Sequence, residues 1–173
     1  ADISRLVAAG WKAPTPIIVK ARDGKTDIYG LMYTPTNLDS AKKYPIVNHI
    51  YPGPQTGSVG GRTFSASRGD AQALAELGFV VVEIDGTGTP WRSKSFHDAY
   101  YGHLGDNTLP DQVAGMKELA QRYRFIDIDR AGIYGHSGGG FATADAMFRY
   151  PDFFKVGISE SGNQDNRIYE GDW

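Results

Sequence analysis

A serine set among glycines is the residue best placed to do chemistry. Gly135-His136-Ser137-Gly138-Gly139-Gly140 lies between a short apolar run, Ile133-Tyr134, and helix-compatible residues from Phe141 to Tyr150. Glycines two residues before and two after a serine are the pattern of a nucleophile elbow, a sharp strand-to-helix turn that exposes the hydroxyl. Such a turn strains the serine backbone and brings neighbouring chain too close for Cβ atoms, a demand that Gly135 and Gly139 meet. The start of the following helix leaves backbone N–H groups unpaired, aimed where charge would develop on a substrate oxygen. Ser137 is therefore a candidate nucleophile and the Gly138 N–H a candidate oxyanion donor. The bland alternative is an ordinary turn with a serine cap; a strand before and a helix after favour the elbow.

A serine hydroxyl attacks poorly until a histidine takes its proton, and a carboxylate must orient that histidine. In the α/β-hydrolase arrangement both follow the serine in chain order, the acid first. No histidine follows Ser137. Asp145, Asp152, Glu160, Asp165, Glu170 and Asp172 come too soon after the elbow helix to reach later strand ends, and His136 is adjacent to Ser137 on a tight turn, where neighbouring side chains diverge. The expectation is that residues 1–173 are a partial hydrolase domain that ends before the acid and the histidine. A complete chain with a decayed triad is the competing explanation.

The elbow needs a sheet to hold it. Ile17–Ala21 and Asp27–Tyr33 are β-favouring runs joined by Arg22-Asp23-Gly24-Lys25, a hairpin signal. After a polar loop, Ile46–Tyr51 reads as a strand that stops at Pro52-Gly53-Pro54, and ligands collect at such carboxyl ends. Ala66–Leu77 reads as a helix closed by Gly78. Phe79–Ile84 is a β-branched run suited to a strand buried on both faces. Thr108 can cap a helix to Arg122 with Asp111 three residues later, and Leu109, Val113, Met116, Leu119 and Tyr123 share one face of it. Pro151 ends the helix after the elbow, and Val156–Ser159 reads as one further strand. This alternation predicts an α/β fold: a mostly parallel sheet with helices on both faces and an N-terminal hairpin, truncated after the strand that follows the elbow.

Composition narrows the function classes. The chain has 173 residues, 40% apolar and 12% aromatic, which excludes disorder and gives enough chain for one core. A formal charge of −2 gives no footprint for nucleic acid. No apolar run is long enough to span a membrane, and Ala1 opens no signal-peptide pattern. Cysteine is absent, and the four histidines (His49, His97, His103, His136) lack helical ligand spacing, so no metal site and no cofactor are expected and the histidines read as surface or supporting groups.

Rival motifs are weaker. Thr56–Thr63 (TGSVGGRT) has Arg62 in place of the lysine of a phosphate loop and Thr56 where its first glycine belongs. After Gly86 and Gly88, Trp91 stands where a dinucleotide fingerprint needs glycine. Asp85 could be a catalytic carboxylate, with an Asx-turn as the commoner role. Trp91, Phe96, Tyr100 and Tyr101 could line a pocket or simply pack a long loop.

Several stretches in order resemble the catalytic domain of the prolyl oligopeptidase family of serine peptidases, in its dipeptidyl peptidase IV-like branch. They are Lys42–Val47 (KKYPIV), Ile50–Pro54 (IYPGP), Glu83–Gly88 (EIDGTG), Asp111-Gln112 and Gly135–Gly140. The resemblance implies a peptidase acting by acyl transfer, with Ser137 as nucleophile and the Tyr51 hydroxyl forming the oxyanion hole with the Gly138 N–H. It implies that Tyr169 and Trp173 line the substrate pocket, Trp173 standing where the branch has tyrosine. His136 and Gly138 likewise depart from the bulky aromatics usual beside the serine. The implied partners are a peptide substrate, the rest of the hydrolase domain and a β-propeller domain; the implied compartment is periplasmic or secreted, with a cytoplasmic one as alternative. A carboxylesterase of the same fold and an inactive fragment or interaction module are the competing readings. A truncated sheet would also expose an edge, so self-association is expected.

Overall fold

The computed structural model describes residues 2–60, 64–67, 69–165 and 167. A one-turn helix, α1 (Ser4–Ala8), leads into the hairpin of β1 (Thr15–Lys20) and β2 (Asp27–Tyr33). The Asp23 carboxylate makes that turn by accepting from the Lys25 and Thr26 N–H groups, both at 2.8 Å, while Gly24 takes a φ of 68°. β3 (Tyr44–His49), α2 (Gly69–Glu76), β4 (Val80–Asp85) and α3 (Lys94–Asp98) follow, then α4 (Leu109–Arg122), β5 (Ile126–His136), α5 (Gly138–Arg149) and β6 (Phe154–Glu160).

The six strands form one sheet in the order β1-β2-β4-β3-β5-β6. β1, β2 and β4 pair antiparallel in turn, and β4, β3, β5 and β6 run parallel. β4 is central, which is why VVVEID carries so little polarity: Val80, Val81, Val82 and Ile84 are all buried. Its even-numbered side chains join a core beneath α4 and α5 with Ile46, Met116, Leu119, Ile133 and Ala142, while Val81 joins Tyr33, Ala71 and Ala75 of the α2 side. Helices thus cover both faces, and the carboxyl ends of β3, β4 and β5 open at one rim.

Three local expectations change. α2 begins at Gly69, not Ala66, and α1 and α3 carry too little periodic pattern to be read in advance. Thr108 does not cap α4. It sits at φ 53° and makes no side-chain cap bond; its Oγ1 accepts from Gln112 Nε2 at 3.0 Å instead. The Asp111 carboxylate is engaged elsewhere, by the Arg22 N–H and guanidinium at 2.9 and 2.8 Å and by the Thr87 N–H at 2.7 Å.

Candidate active site

Ser137 joins β5 to α5 at φ 57° and ψ −117°, a conformation that costs a non-glycine residue about 1–3 kcal/mol and persists only where surrounding structure imposes it. Here the Ser137 N–H donates to the Glu160 carbonyl at 2.8 Å, so the end of β6 closes over the turn. Two carbonyls account for three glycines. An added Cβ would stand 2.4 Å from Ile50 O at Gly135, 2.0 Å from the same oxygen at Gly139, and 2.3 Å from Glu160 O at Gly140. β3 and β6 thereby clamp the elbow between them.

Gly138 faces something different. A Cβ there would lie 3.5 Å from Tyr51 Cζ and 3.7 Å from its hydroxyl, so the phenol flanks the first residue of α5. Tyr51 follows β3, and its N–H is held by Ser58 Oγ at 2.9 Å. Ser137, Gly138 and Tyr51 together border a pocket of about 140 Å3 whose other walls include Pro54, Tyr100, Leu104, Asn107 and Phe141. Burial, with Asp106 and Asp145 nearby, raises the Tyr100 hydroxyl above the ordinary phenol range, so it stays neutral and donates to Leu104 O at 3.2 Å.

Among the described residues no histidine is hydrogen-bonded to Ser137, and His136 is exposed. His49 does have a carboxylate partner, Glu83 Oε1 at 2.8 Å from Nδ1, and stacks on Tyr134 at 4.5 Å, but this pair lies on the α2 face of the sheet. His97 Nε2 meets the Pro54 carbonyl at 2.8 Å. Among the described residues no group of His, Asp or Glu side chains could hold a metal ion, and no helix is long and apolar enough to cross a membrane.

The Gly-rich loop after β3 folds onto an acid. Asp85 Oδ1 accepts from the Val59 N–H at 3.1 Å, and a Cβ at Gly57 would stand 2.2 Å from that oxygen. A phosphate in the loop would meet a carboxylate there. The aromatic cluster divides: Phe96 and Tyr100 are buried, whereas Trp91 and Tyr101 are 91% and 90% exposed. Tyr169 and Trp173 lie outside the described residues.

Residues 64–173, more than half of the chain, match the model of the prolyl oligopeptidase family. The chain belongs to that family. Human dipeptidyl peptidase 8 is 42% identical to it over 132 residues, covering 76% of this chain and 15% of that protein. Mouse prolyl endopeptidase FAP is 31% identical over 146 residues, covering 84% of this chain and 19% of that one. A crystal structure from Bacteroides ovatus, of a protein assigned as a dipeptidyl aminopeptidase IV, superposes with a TM-score of 0.77 at 35% identity over 85% of this chain and 21% of that one. The chain therefore spans about a fifth or less of the length of these relatives. Its open, mostly parallel sheet with flanking helices is that of an α/β-hydrolase.

Several walls of the pocket beside Ser137 have no signal in the sequence. Leu104, Asn107 and Phe141 carry no motif; they converge because Asn107 and Thr108, both at positive φ, turn the chain into α4 beside α5. Gln55, which donates to the Tyr51 hydroxyl at 3.1 Å, was equally silent. A signal for it existed only in retrospect, as the one amide in a loop of prolines and glycines just after the candidate tyrosine.

Proposed function

We propose that this chain is part of the catalytic domain of a serine peptidase that cleaves dipeptidyl or oligopeptidyl substrates, with a preference for proline before the scissile bond. In this reading Ser137 Oγ attacks the scissile carbonyl carbon, its proton passes to a histidine, and the carbonyl oxygen becomes an oxyanion between the Tyr51 hydroxyl and the Gly138 N–H. Collapse expels the amine, which takes the proton back, and water then releases the acyl group by the same route. The histidine and its carboxylate are contributed by residues of the full-length protein other than these 173. Each oxyanion donor of this kind is worth roughly 3 to 4 kcal/mol of transition-state stabilisation.

The observation that carries the reading is the backbone of Ser137, held at positive φ at the head of α5 with a phenol beside the next residue. A pocket of about 140 Å3 suits a small apolar group such as a pyrrolidine ring, and the names of the relatives point the same way.

The test is fluorophosphonate labelling of the full-length protein and of its Ser137→Ala variant, with mass spectrometry of the modified peptide. Adduct on Ser137, lost in the variant, is expected; an unlabelled full-length protein would remove Ser137 as nucleophile. Dipeptide amides should be turned over in preference to short acyl esters, the reverse order marking a carboxylesterase. The 173-residue polypeptide alone should label far more slowly, because no base reaches Ser137 among its described residues.

A further inference from the structure

The phenol of Tyr51 is held from one side. Gln55 Nε2 donates to its hydroxyl oxygen at 3.1 Å. The two side chains meet across Gly53, where an added Cβ would stand 2.7 Å from Gln55 Oε1 and 2.8 Å from Tyr51 Cε1. Only a residue without a Cβ lets the amide reach the ring. The loop is also pinned at both ends, by Ser58 Oγ on the Tyr51 N–H at 2.9 Å and by His97 on the Pro54 carbonyl at 2.8 Å. A carbonyl only accepts, so His97 donates through a protonated Nε2. An exposed glutamine would ordinarily sample many rotamers; the backbone that carries this one is held on both sides, and its amide meets the phenol.

A hydroxyl has one proton and two lone pairs. With an amide N–H donating into one lone pair, the loop does not consume the phenol proton, which stays available to a substrate oxygen. Accepting a hydrogen bond also polarises the O–H and strengthens it as a donor. The opposite arrangement, with the phenol donating to the glutamine carbonyl, would spend the proton on the loop and leave the oxyanion one donor short.

We infer that Gln55 is a positioning residue for acyl transfer: its side-chain amide holds the Tyr51 hydroxyl with the proton directed at the oxyanion. The inference rests on the reading of Tyr51 as an oxyanion donor given above. Gln55 does not touch the reacting atoms and acts only through Tyr51. Its contribution is therefore confined to the transition state, where the oxyanion exists, and belongs in kcat with KM little changed.

Steady-state kinetics of the full-length protein on a chromogenic dipeptide amide test this with four variants: Tyr51→Phe, Gln55→Ala, Gln55→Glu, and Tyr51→Phe combined with Gln55→Ala. Tyr51→Phe should lower kcat roughly 100- to 1,000-fold. Gln55→Ala should lower it about three- to tenfold, the range of a single hydrogen bond. Gln55→Glu, nearly the same shape, should be the worse of the two, because an ionised carboxylate only accepts and so takes the phenol proton for itself. In the Tyr51→Phe background, Gln55→Ala should have no further effect.

Each other result has a distinct meaning. A Gln55→Ala effect that persists at full size without the hydroxyl would show Gln55 shaping the loop rather than acting through Tyr51, and would overturn the inference. Gln55→Glu matching wild type would overturn it too. Full activity in Tyr51→Phe would instead remove the assignment of Tyr51 itself, a separate failure read from a separate variant.

Discussion

Adjacent glycines at the head of α5 answer to different neighbours. At Gly139 a Cβ would meet the Ile50 carbonyl at 2.0 Å, and backbone cannot yield as a flexible side chain can. At Gly138 the nearest atoms are those of the Tyr51 ring, from 3.5 Å outward, which is ordinary contact. Gly139→Ala should therefore lower stability by about 2 kcal/mol or more, or prevent folding. Gly138→Ala should fold with a melting temperature close to that of the unchanged protein. Thermal melts followed by circular dichroism check the pair, and two equal shifts would mean the elbow is not clamped by Ile50. The same contrast separates what could be read in advance. Gly135, Ser137 and Gly139 stand within five residues, so a local pattern exposes them. Tyr51 emerges only by resemblance, and Gln55 not at all, since its contact with Tyr51 depends on the space that Gly53, lacking a Cβ, leaves between the two side chains.

The two edges of the sheet are treated differently. Along β1, α4 supplies partners: the Lys20 N–H donates to Glu118 at 2.7 Å and Ile18 O accepts from Arg122 at 2.9 Å. Along β6, Val156 and Ile158 are 60% and 63% exposed, and they project on the side of the sheet away from α5, beside Tyr134. An open strand edge with apolar side chains is a template for pairing. The 173-residue polypeptide is accordingly expected to self-associate in a concentration-dependent way, and Ile158→Lys to shift it towards monomer on size-exclusion chromatography; a monomer at every soluble concentration before the change would refute this. Elements with a strong pattern were legible, among them the hairpin, the β-branched run of β4 and the apolar stripe of α4. Cap chemistry was not, because Thr108 and Asp111 look like partners in sequence while Arg22, 89 residues away from Asp111, claims the carboxylate.

At the scale of the molecule, that claim stitches the first hairpin to the second half of the chain. Arg22, just past β1, pairs with Asp106 at 2.6 Å and with Asp111 at 2.8 Å, and Asp111 also receives the Thr87 N–H from the end of β4. Three distant segments therefore meet on one buried carboxylate. Burial by itself would push the Asp111 carboxyl up, but the Arg22 guanidinium and the N–H groups of Arg22 and Thr87 outweigh it and hold the group below the usual range. The sign follows from linkage. A carboxyl depressed in the folded state contributes its full stability above its unfolded value of about 3.9 and loses it as pH falls through the lower folded value. Asp111→Asn keeps one acceptor oxygen but no charge, so near neutral pH it should cost about 1–3 kcal/mol. Below pH 4 that deficit should shrink, because the unchanged protein is then giving up the same contribution. Urea melts of both proteins from neutral pH down to the acid limb measure the gap directly. Curves that stay parallel throughout would mean that Asp111 is no more depressed in the folded chain than in the unfolded one, and that the junction is held by packing instead.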